Sequence, residues 1–227
     1  MCDLDRPVWA TLQHQPGWAL GDECARRFKP DINRFAATPG EDSEHLLALA
    51  GLVQPGDDMV YLLQVPAIAM PPGLEAVKEA RGVQMLATRP LQADDDGIQV
   101  LGVADAAEML ALATLTEPGP FMARTHTMGR FIGVRIGGRL AAMAGERMRF
   151  PGYVEVSGVC THPDFRGQGL ARRLSAAVAA NIQRRGEQPF LHAWTTNTAA
   201  IALYESLGFQ VRTTVNVAML RRQWDRA

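Results

Sequence analysis

The stretch Arg166-Gly167-Gln168-Gly169-Leu170-Ala171 decides the fold, because it joins a predicted strand, Tyr153 to Thr161, to a predicted helix, Gly169 to Arg185. Glycines let a backbone approach a ligand closely, and the first N–H groups of a helix favour an anion. The stretch therefore predicts a phosphate-binding turn, although a Gly-rich turn before a helix is also common as a plain connection.

Two other phosphate-binding motifs do not fit this turn. A P-loop needs a lysine directly after its last glycine, and the only lysines of the chain are Lys29 and Lys78. A dinucleotide-binding turn needs a third glycine where this chain has Arg172. The sequence therefore disfavours a nucleoside triphosphatase and an NAD-binding protein.

Strand and helix patterns alternate on both sides of the turn and predict an α/β chain with a mixed (α+β) sheet. Before Gly97 the patterns predict helices over Glu44 to Gly51 and Pro72 to Arg81, and strands over Asp58 to Val65 and Val83 to Thr88. After it they predict helices over Asp105 to Leu115, Phe121 to Met128 and Thr198 to Leu207, and strands over Ile98 to Val103, Phe131 to Ile136, Leu140 to Met148, Phe190 to Thr195 and Phe209 to Met219. Gly137 and Gly138 predict a tight hairpin between two of these strands.

A domain boundary is predicted where the pattern is interrupted by Arg89-Pro90, by three aspartates and by Gly97. Residues 1–96 would form a smaller accessory α/β lobe, and residues 97–227 the larger domain. The lobe carries no recognisable catalytic motif, and a degenerate copy of the larger domain is one interpretation of it.

Composition limits the function. The chain has 227 residues, 47% hydrophobic and 21% charged, with a formal net charge of −1, which gives no reason to expect a nucleic-acid partner. No apolar run reaches the roughly 20 residues of a membrane span, and no secretory signal is visible, so we expect a cytoplasmic protein. The three cysteines are predicted to be reduced thiols, and the scattered histidines predict no metal site.

The chain resembles the GNAT N-acetyltransferases, whose strand-loop-helix motif Arg/Gln-x-x-Gly-x-Gly/Ala is filled by Arg166, Gly169 and Ala171. Val159 to Pro163 is similar to the strand end before that motif, and Asn197 to Phe209 to the next helix of the family. This last segment most resembles the bacterial ribosomal-protein alanine acetyltransferases. The layout with an extra N-terminal lobe is more similar to the glycine N-acyltransferase-like members.

The resemblance implies a GNAT fold and acetyl-CoA as co-substrate. In this family, backbone groups of the strand end pair with the pantetheine arm, the loop holds the pyrophosphate, and the asparagine that opens the next helix contacts the arm. Carried over, these roles fall on Val159, Cys160, Thr161, Arg166, Gly167, Gln168, Gly169, Leu170, Ala171, Arg172 and Asn197. For the two arginines, a solvated position is an equal alternative.

Candidate catalytic residues follow from the chemistry of acetyl transfer, which needs a base, an oxyanion donor and a proton for the leaving thiolate. The resemblance makes Tyr204 the general acid, with a core tyrosine as the alternative. His192 and Glu155 are rival candidates for the base. By strand alternation, Glu155 should share a face with Val159 and Thr161.

Two functions remain in competition. The first is an acetyl-CoA-dependent N-acetyltransferase that acts by direct attack of a primary amine, from a small molecule, an amino acid or a peptide, on the thioester. The second is a non-catalytic acyl-CoA-binding regulatory module whose acceptor groove is filled by the N-terminal lobe. A homodimer is left open. Four arginines hint at an anionic acceptor, but surface positions are their simpler interpretation; they are Arg124, Arg130, Arg135 and Arg139.

Overall fold

A computed structural model describes residues 2–56, 58–93 and 95–223 of the chain. An eight-stranded mixed sheet in the order β4-β11-β5-β10-β9-β8-β7-β6 forms its centre, and a separate three-stranded sheet has the order β1-β2-β3. The strands are β1 Ala19–Gly21, β2 Arg26–Phe28, β3 Ala36–Ala37, β4 Met59–Gln64, β5 Leu74–Ala87, β6 Ile98–Leu101, β7 Phe131–Ile136, β8 Arg139–Phe150, β9 Tyr153–Thr161, β10 Gln188–Trp194 and β11 Phe209–Arg222. The α-helices are α1 Pro7–His14, α2 Ser43–Leu52, α3 Ala106–Thr116, α4 Leu170–Arg184 and α5 Thr198–Leu207.

Helix α4 packs on the middle of the large sheet. Its apolar stripe, which includes Leu170, Leu174 and Val178, is buried in one core cluster with the facing side chains of β8 and β9. β8 presents mainly alanines to this helix, and small side chains let helix and sheet approach closely. The sheet and α4 therefore hold the turn at the start of α4 in a fixed position.

The predicted hairpin and the last helix are confirmed. β7 and β8 are joined through Gly137 and Gly138, whose φ angles are +56° and +80°. α5 has the predicted bounds, the Asn197 side chain caps its start, and Gly208 ends it in the left-handed conformation. These local signals agree with the final packing.

The predicted helix over Pro72 to Arg81 is wrong, because the segment from Leu74 onward belongs to the long strand β5. Alanine, glutamate and lysine in this segment favour a helix locally. Antiparallel pairing with β11 over its whole length overrides that preference, from Leu74 opposite Arg222 to Ala87 opposite Phe209.

The predicted helix over Phe121 to Met128 is reduced to one 3₁₀ turn, Thr125–Met128. The sequence patterns also missed α1 and the small sheet β1-β2-β3, whose strands have three residues or fewer. Strands this short carry too few residues to show an alternating pattern.

The large sheet crosses the predicted domain boundary. β4 and β5 come from the first 96 residues, and both belong to this sheet. β11 lies between them, and β10 pairs with the other side of β5. The division at residue 97 stays a prediction, and so does the idea that the first segment is a degenerate copy. The mixed α/β architecture itself, with an added N-terminal segment, agrees with the predicted fold class.

No helix among the described residues is long and apolar enough to cross a membrane.

Candidate active site

The two parallel strands in the middle of the sheet separate part-way along their length. β9 and β10 are paired only from Tyr153 to Glu155 of β9, opposite Gln188 to Phe190 of β10. Beyond Glu155, β9 continues for six residues with its ladder partner on the β8 side alone, among the residues that the structure describes. The gap between the strands opens toward the start of α4 and α5.

A bulge in β9 bends the strand at this opening. Ser157 lies opposite Gly145 and Cys160 opposite Met143, so β9 has two residues where β8 has one. Gly158, the first extra residue, has a φ of +62°, which a glycine adopts without strain. The predicted continuous face from Glu155 to Thr161 is therefore wrong, because the bulge breaks the alternation of side chains.

Backbone groups at the end of β9 point into the gap. The N–H of His162 donates to the carbonyl of Ala141 on β8 at 2.8 Å. Because successive backbone groups of a strand point to opposite sides, the N–H and C=O groups of Val159 and Thr161 face away from β8. An extended ligand with amide groups can pair with such an edge as an added strand.

A cleft of about 740 Å³ lies along this edge and continues to the start of α4. It brings together every residue predicted to bind the cofactor. They are Val159, Cys160, Thr161, Arg166, Gly167, Gln168, Gly169, Leu170, Ala171, Arg172 and Asn197.

The loop before α4 has the open geometry that a phosphate group needs. Gly167 and Gly169 have φ angles of +78° and +71°, and a β-carbon built on either would meet no atom within 4 Å. The first N–H groups of α4 are unpaired within the helix and carry the positive end of its dipole. The loop therefore fits the pyrophosphate of CoA, and no group of three or more metal-ligating side chains is found in the described part of the chain.

The two arginines of the loop differ in their contacts. Arg166 is exposed and has no ion-pair partner within the described ranges, so its guanidinium is available to a phosphate. Arg172 is exposed as well, and its Nη1 donates to the hydroxyl of Ser206 on α5. Of these two arginines, Arg166 is therefore the better candidate for a phosphate contact.

A second cavity of about 250 Å³ joins the cleft. The two share the lining residues Glu117, Pro118, Val159, Ala171, Asn197, Ala200 and Leu203. The second cavity is also lined by residues of the N-terminal segment, β5, β8, β10, α5, β11 and the connection after α3. They are Phe35, Tyr61, Leu63, Gly82, Gly119, Pro120, Arg147, His192, Ala193, Trp194, Tyr204, Val215 and Val217. A ligand in the cleft can therefore meet a second ligand in this cavity.

Tyr204 lies on α5 and is nearly buried, at 9% exposure, where it lines the second cavity. Burial raises the pKa of Tyr204 to about 12, and the nearby Ser175 side chain opposes this rise only in part. The ring also packs edge to face on Phe209, with the ring centroids 6.0 Å apart. The phenol is held rigidly and stays protonated at neutral pH.

Glu155 is fully buried and paired with an arginine that the sequence did not single out. Arg147 of β8 donates from Nε to Oε2 at 2.8 Å and from Nη2 to Oε1 at 2.9 Å. Burial alone would raise the pKa of Glu155, but the charge and hydrogen bonds of Arg147 and the hydrogen bond of His192 outweigh it and hold the pKa at about 2. A carboxylate with this pKa is a poor proton acceptor at neutral pH.

His192 lines the second cavity, but both of its ring nitrogens are engaged. Nδ1 lies 2.8 Å from Oε1 of Glu155, and Nε2 lies 3.1 Å from the amide nitrogen of Gln84. Gln84 is oriented by Arg212, which donates to its oxygen, and by the carbonyl of Leu4, which accepts from its nitrogen. The Gln84 nitrogen therefore faces Nε2, and the Glu155 carboxylate faces Nδ1, so neither ring nitrogen is free to take a proton from a ligand.

These contacts weigh against His192 and Glu155 as bases, and their role stays a prediction.

Cys160 is buried, and burial raises its thiol pKa to about 11, so a nucleophilic thiolate is disfavoured.

Sequence patterns missed three residues of the site, Arg147, Gln84 and Glu117. Arg147 interrupts the apolar run of β8, and a charge inside a buried strand is the signal that reveals it. Gln84 lies on β5, next to the segment predicted as a helix. Glu117 lines both cavities in the left-handed conformation, with a φ of +48°, and no local pattern marks it.

A solved structure from Novosphingobium aromaticivorans, a putative acetyltransferase from the GNAT family, is 44% identical to this chain, with a TM-score of 0.93. The match covers 99% of this chain and 100% of the other. The chain belongs to the GNAT family. The family model described as "FR47-like protein" also matches this GNAT protein, over residues 131–217.

Two curated relatives match shorter segments. A mycothiol acetyltransferase from Thermobispora bispora is 50% identical over 69 residues, 30% of this chain and 23% of the relative. A ribosomal protein bS18 alanine N-acetyltransferase from Escherichia coli is 39% identical over 67 residues, 29% of this chain and 41% of the relative. The matches thus span less than half the length of these relatives.

The predicted family and the predicted class of enzyme, an acyltransferase, are confirmed by these relatives. Family membership implies acetyl-CoA as the donor and an amine as the acceptor of this GNAT protein. The similarity of the layout to glycine N-acyltransferase-like members stays a prediction.

Proposed function

We propose that the chain is an N-acetyltransferase that transfers the acetyl group of acetyl-CoA to a primary amine by direct attack on the thioester. One observation carries this proposal: the cleft lined by all the predicted cofactor residues opens into a second cavity that holds Tyr204. Such an arrangement lets donor and acceptor meet without a covalent acyl-enzyme. When bound, acetyl-CoA supplies the acetyl group as an activated thioester.

Backbone groups of this chain orient the donor. The free edge of β9 at Val159 and Thr161 pairs with the pantetheine amides, and an N–H of the same edge donates to the thioester oxygen as negative charge develops there. The start of α4 holds the pyrophosphate. Asn197 uses its side-chain oxygen to cap α5, at 3.1 Å from the N–H of Ala200, which leaves its amide N–H groups for the donor arm.

Tyr204 stabilises the departing thiolate. Its pKa of about 12 keeps the hydroxyl protonated at every pH where the protein is expected to work. A thiol has a pKa of about 8.5, so full transfer of the phenolic proton to sulfur is uphill. The hydroxyl therefore acts first as a hydrogen-bond donor to the sulfur while the carbon–sulfur bond breaks.

Glu117 is the residue that we propose as the proton acceptor for the attacking amine. It is the acidic side chain at the junction of the two cavities, among the described residues that line them. It is exposed, in contrast to Glu155, so it can pass the proton to water. His192 and Glu155 then act as positioning residues, and a water molecule between the amine and either of them is the alternative route.

The thiol that leaves acetyl-CoA gives a direct test. The purified protein is mixed with acetyl-CoA and a panel of primary amines, and free thiol is measured, beside a calorimetric titration with acetyl-CoA and CoA. Amine-dependent thiol release that falls in Tyr204→Phe supports the proposal. Tight binding of both CoA species with no thiol release for any amine would instead identify the non-catalytic binding module.

Partners and location stay proposals of the same kind. We propose acetyl-CoA and an amine as the partners, with no nucleic acid, membrane or metal, and we keep a homodimer open. The three cysteines are free thiols, which is typical of a reducing compartment such as the cytoplasm.

A further inference from the structure

Arg147 has donors that the protein itself does not use. The residue is 92% buried, since 8% of its surface is exposed, and among the described residues that line the second cavity it is the one arginine. Its bidentate pair with Glu155 occupies Nε and Nη2. Nη1, with two N–H donors, makes no hydrogen bond to the protein within residues 2–56, 58–93 and 95–223, and it is accessible from the cavity, not enclosed by protein atoms.

The guanidinium is held in one orientation. Besides the pair with Glu155, it lies over the ring of Phe35, 5.1 Å from the ring centre. Nη1 lies beside Gly119, another lining residue, because a β-carbon built there would stand 3.8 Å from it. A donor held in one orientation at the wall of a small cavity, with its own hydrogen bonds unused, is placed to bind a ligand oxygen at little ordering cost.

The local charge limits what that oxygen can be. The Glu155 carboxylate pairs with the Arg147 guanidinium, so this pair brings no net charge to the cavity wall. A carbonyl oxygen fits such a donor, and a carboxylate oxygen fits it through the stronger charge-assisted bond. Both are planar oxygen acceptors, and a saturated hydrocarbon offers none.

The rest of the cavity lining is largely apolar and comes in part from the N-terminal segment. Phe35 and Tyr61 pack edge to face, with centroids 6.0 Å apart, and Leu63 continues the surface. Val215 and Val217 of β11 complete it. The volume of about 250 Å³ is near the lower end for small-molecule sites, about 300 to 1,000 Å³, so the acceptor is compact.

We infer that the acceptor of the proposed acetyl transfer is a compact α-amino compound with an apolar group, and that Arg147 binds the carbonyl or carboxylate oxygen next to its amine. The inference rests on the proposed function for the reaction, but it concerns the second cavity alone. The N-terminal segment then acts as the specificity wall for the apolar group.

Three amines with one apolar group test this inference on the unaltered protein. Leucine, leucinamide and isopentylamine share the branched chain and the amine, and they differ in carrying a carboxylate, an amide or neither. Because the three amines differ in basicity, kcat/KM is calculated for the unprotonated amine. On this basis, a hydrogen bond to a charged donor should give the better of the first two a kcat/KM about tenfold or more above that of isopentylamine. Equal values for all three would overturn the inference, and the order of the first two identifies the oxygen.

Substitution of Arg147 tests the residue. Arg147→Lys keeps a positive charge for Glu155 but has no third nitrogen to reach the cavity, so the preference over isopentylamine should fall about tenfold. Arg221→Lys, on a half-buried arginine of β11 paired with Glu75, is the matched control and should keep the full preference. A preference that survives in Arg147→Lys would also overturn the inference.

A binding measurement separates this inference from the proposed reaction. The affinities of the three amines are measured by calorimetry in the presence of CoA, where no acetyl transfer takes place. Tighter binding of leucine or leucinamide without any turnover would refute the proposed reaction and support the role of Arg147. Turnover without a preference for leucine or leucinamide would support the proposed reaction and refute the role of Arg147. Binding of none of the three amines would overturn the inference.

Discussion

Replacing Gly169 by aspartate should weaken CoA binding much more than replacing it by asparagine. Gly169 precedes α4 with a φ of +71°, a conformation that aspartate and asparagine tolerate better than other residues. A β-carbon at this position meets no atom within 4 Å, so neither side chain causes a clash. The two variants differ in one negative charge, which makes the comparison a test of the phosphate site.

The size of the effect follows from Coulomb's law. A carboxylate about 6 Å from each of two phosphate charges, at an effective dielectric constant of about 40 to 80, repels each by about 0.7 to 1.4 kcal/mol. The two charges together cost about 1.4 to 2.8 kcal/mol, which corresponds to about a tenfold to hundredfold rise in Kd. Because the loop is exposed, salt should reduce this difference.

Calorimetric titration with CoA at low and at high salt measures both quantities. Thermal unfolding of the two variants shows first that any cost of the positive φ is shared between them. Equal affinities of Gly169→Asp and Gly169→Asn at low salt would refute the assignment of the pyrophosphate to this loop, and with it the orientation of the donor.

Four further outcomes are expected. Tyr204→Phe should lower amine-dependent thiol release about a hundredfold and leave the Kd of CoA unchanged; an unchanged rate would remove Tyr204 from the reaction. Glu155 has a pKa of about 2 in the folded chain against 4.5 for its ordinary value, so it stabilises the fold by about 3 kcal/mol above pH 4.5 and loses this as the pH falls toward 2. Urea unfolding of Glu155→Gln should accordingly show a flatter profile between those pH values, and a profile as steep as the parent's would contradict the strength of its pair with Arg147. Glu117→Gln should lower kcat/KM for the amine about tenfold or more, with partial recovery in Glu117→Asp and no change in the Kd of CoA; equal activity of the two variants would speak against proton transfer through Glu117. Residues 97–227 expressed alone should lack cooperative unfolding by circular dichroism, because β5 is missing from the sheet; a sharp transition would support the predicted division of the chain.

Local patterns predicted the parts of the fold that local interactions build. The Gly137-Gly138 hairpin, the cap of α5 by Asn197 and the apolar stripe of α4 each depend on residues close in sequence. The segment from Pro72 to Arg81 was mispredicted because its conformation depends on pairing with β11, more than a hundred residues later. The amino-acid composition of this segment by itself favours a helix.

The site divides in the same way. The residues predicted to bind the cofactor lie in two short motifs, so the sequence and its resemblance to a family could identify them, whereas Glu117 of the same cleft was missed. The second cavity is assembled from Phe35, Tyr61, Arg147, His192 and Val215, which are distant in sequence and carry no common spacing. The link between Arg147, Glu155 and His192 likewise needs the register of three neighbouring strands, which a single sequence does not give.

The position of β5 between β10 and β11 also determines when this strand can pair during folding. β5 ends at Ala87, yet one of its neighbours is completed at Trp194 and the other at Arg222. During synthesis, both edges of β5 therefore stay unpaired while more than a hundred further residues are made. Contacts so far apart in sequence slow folding. We expect the growing chain to depend on chaperones that shield β4 and β5 until its last strand leaves the ribosome.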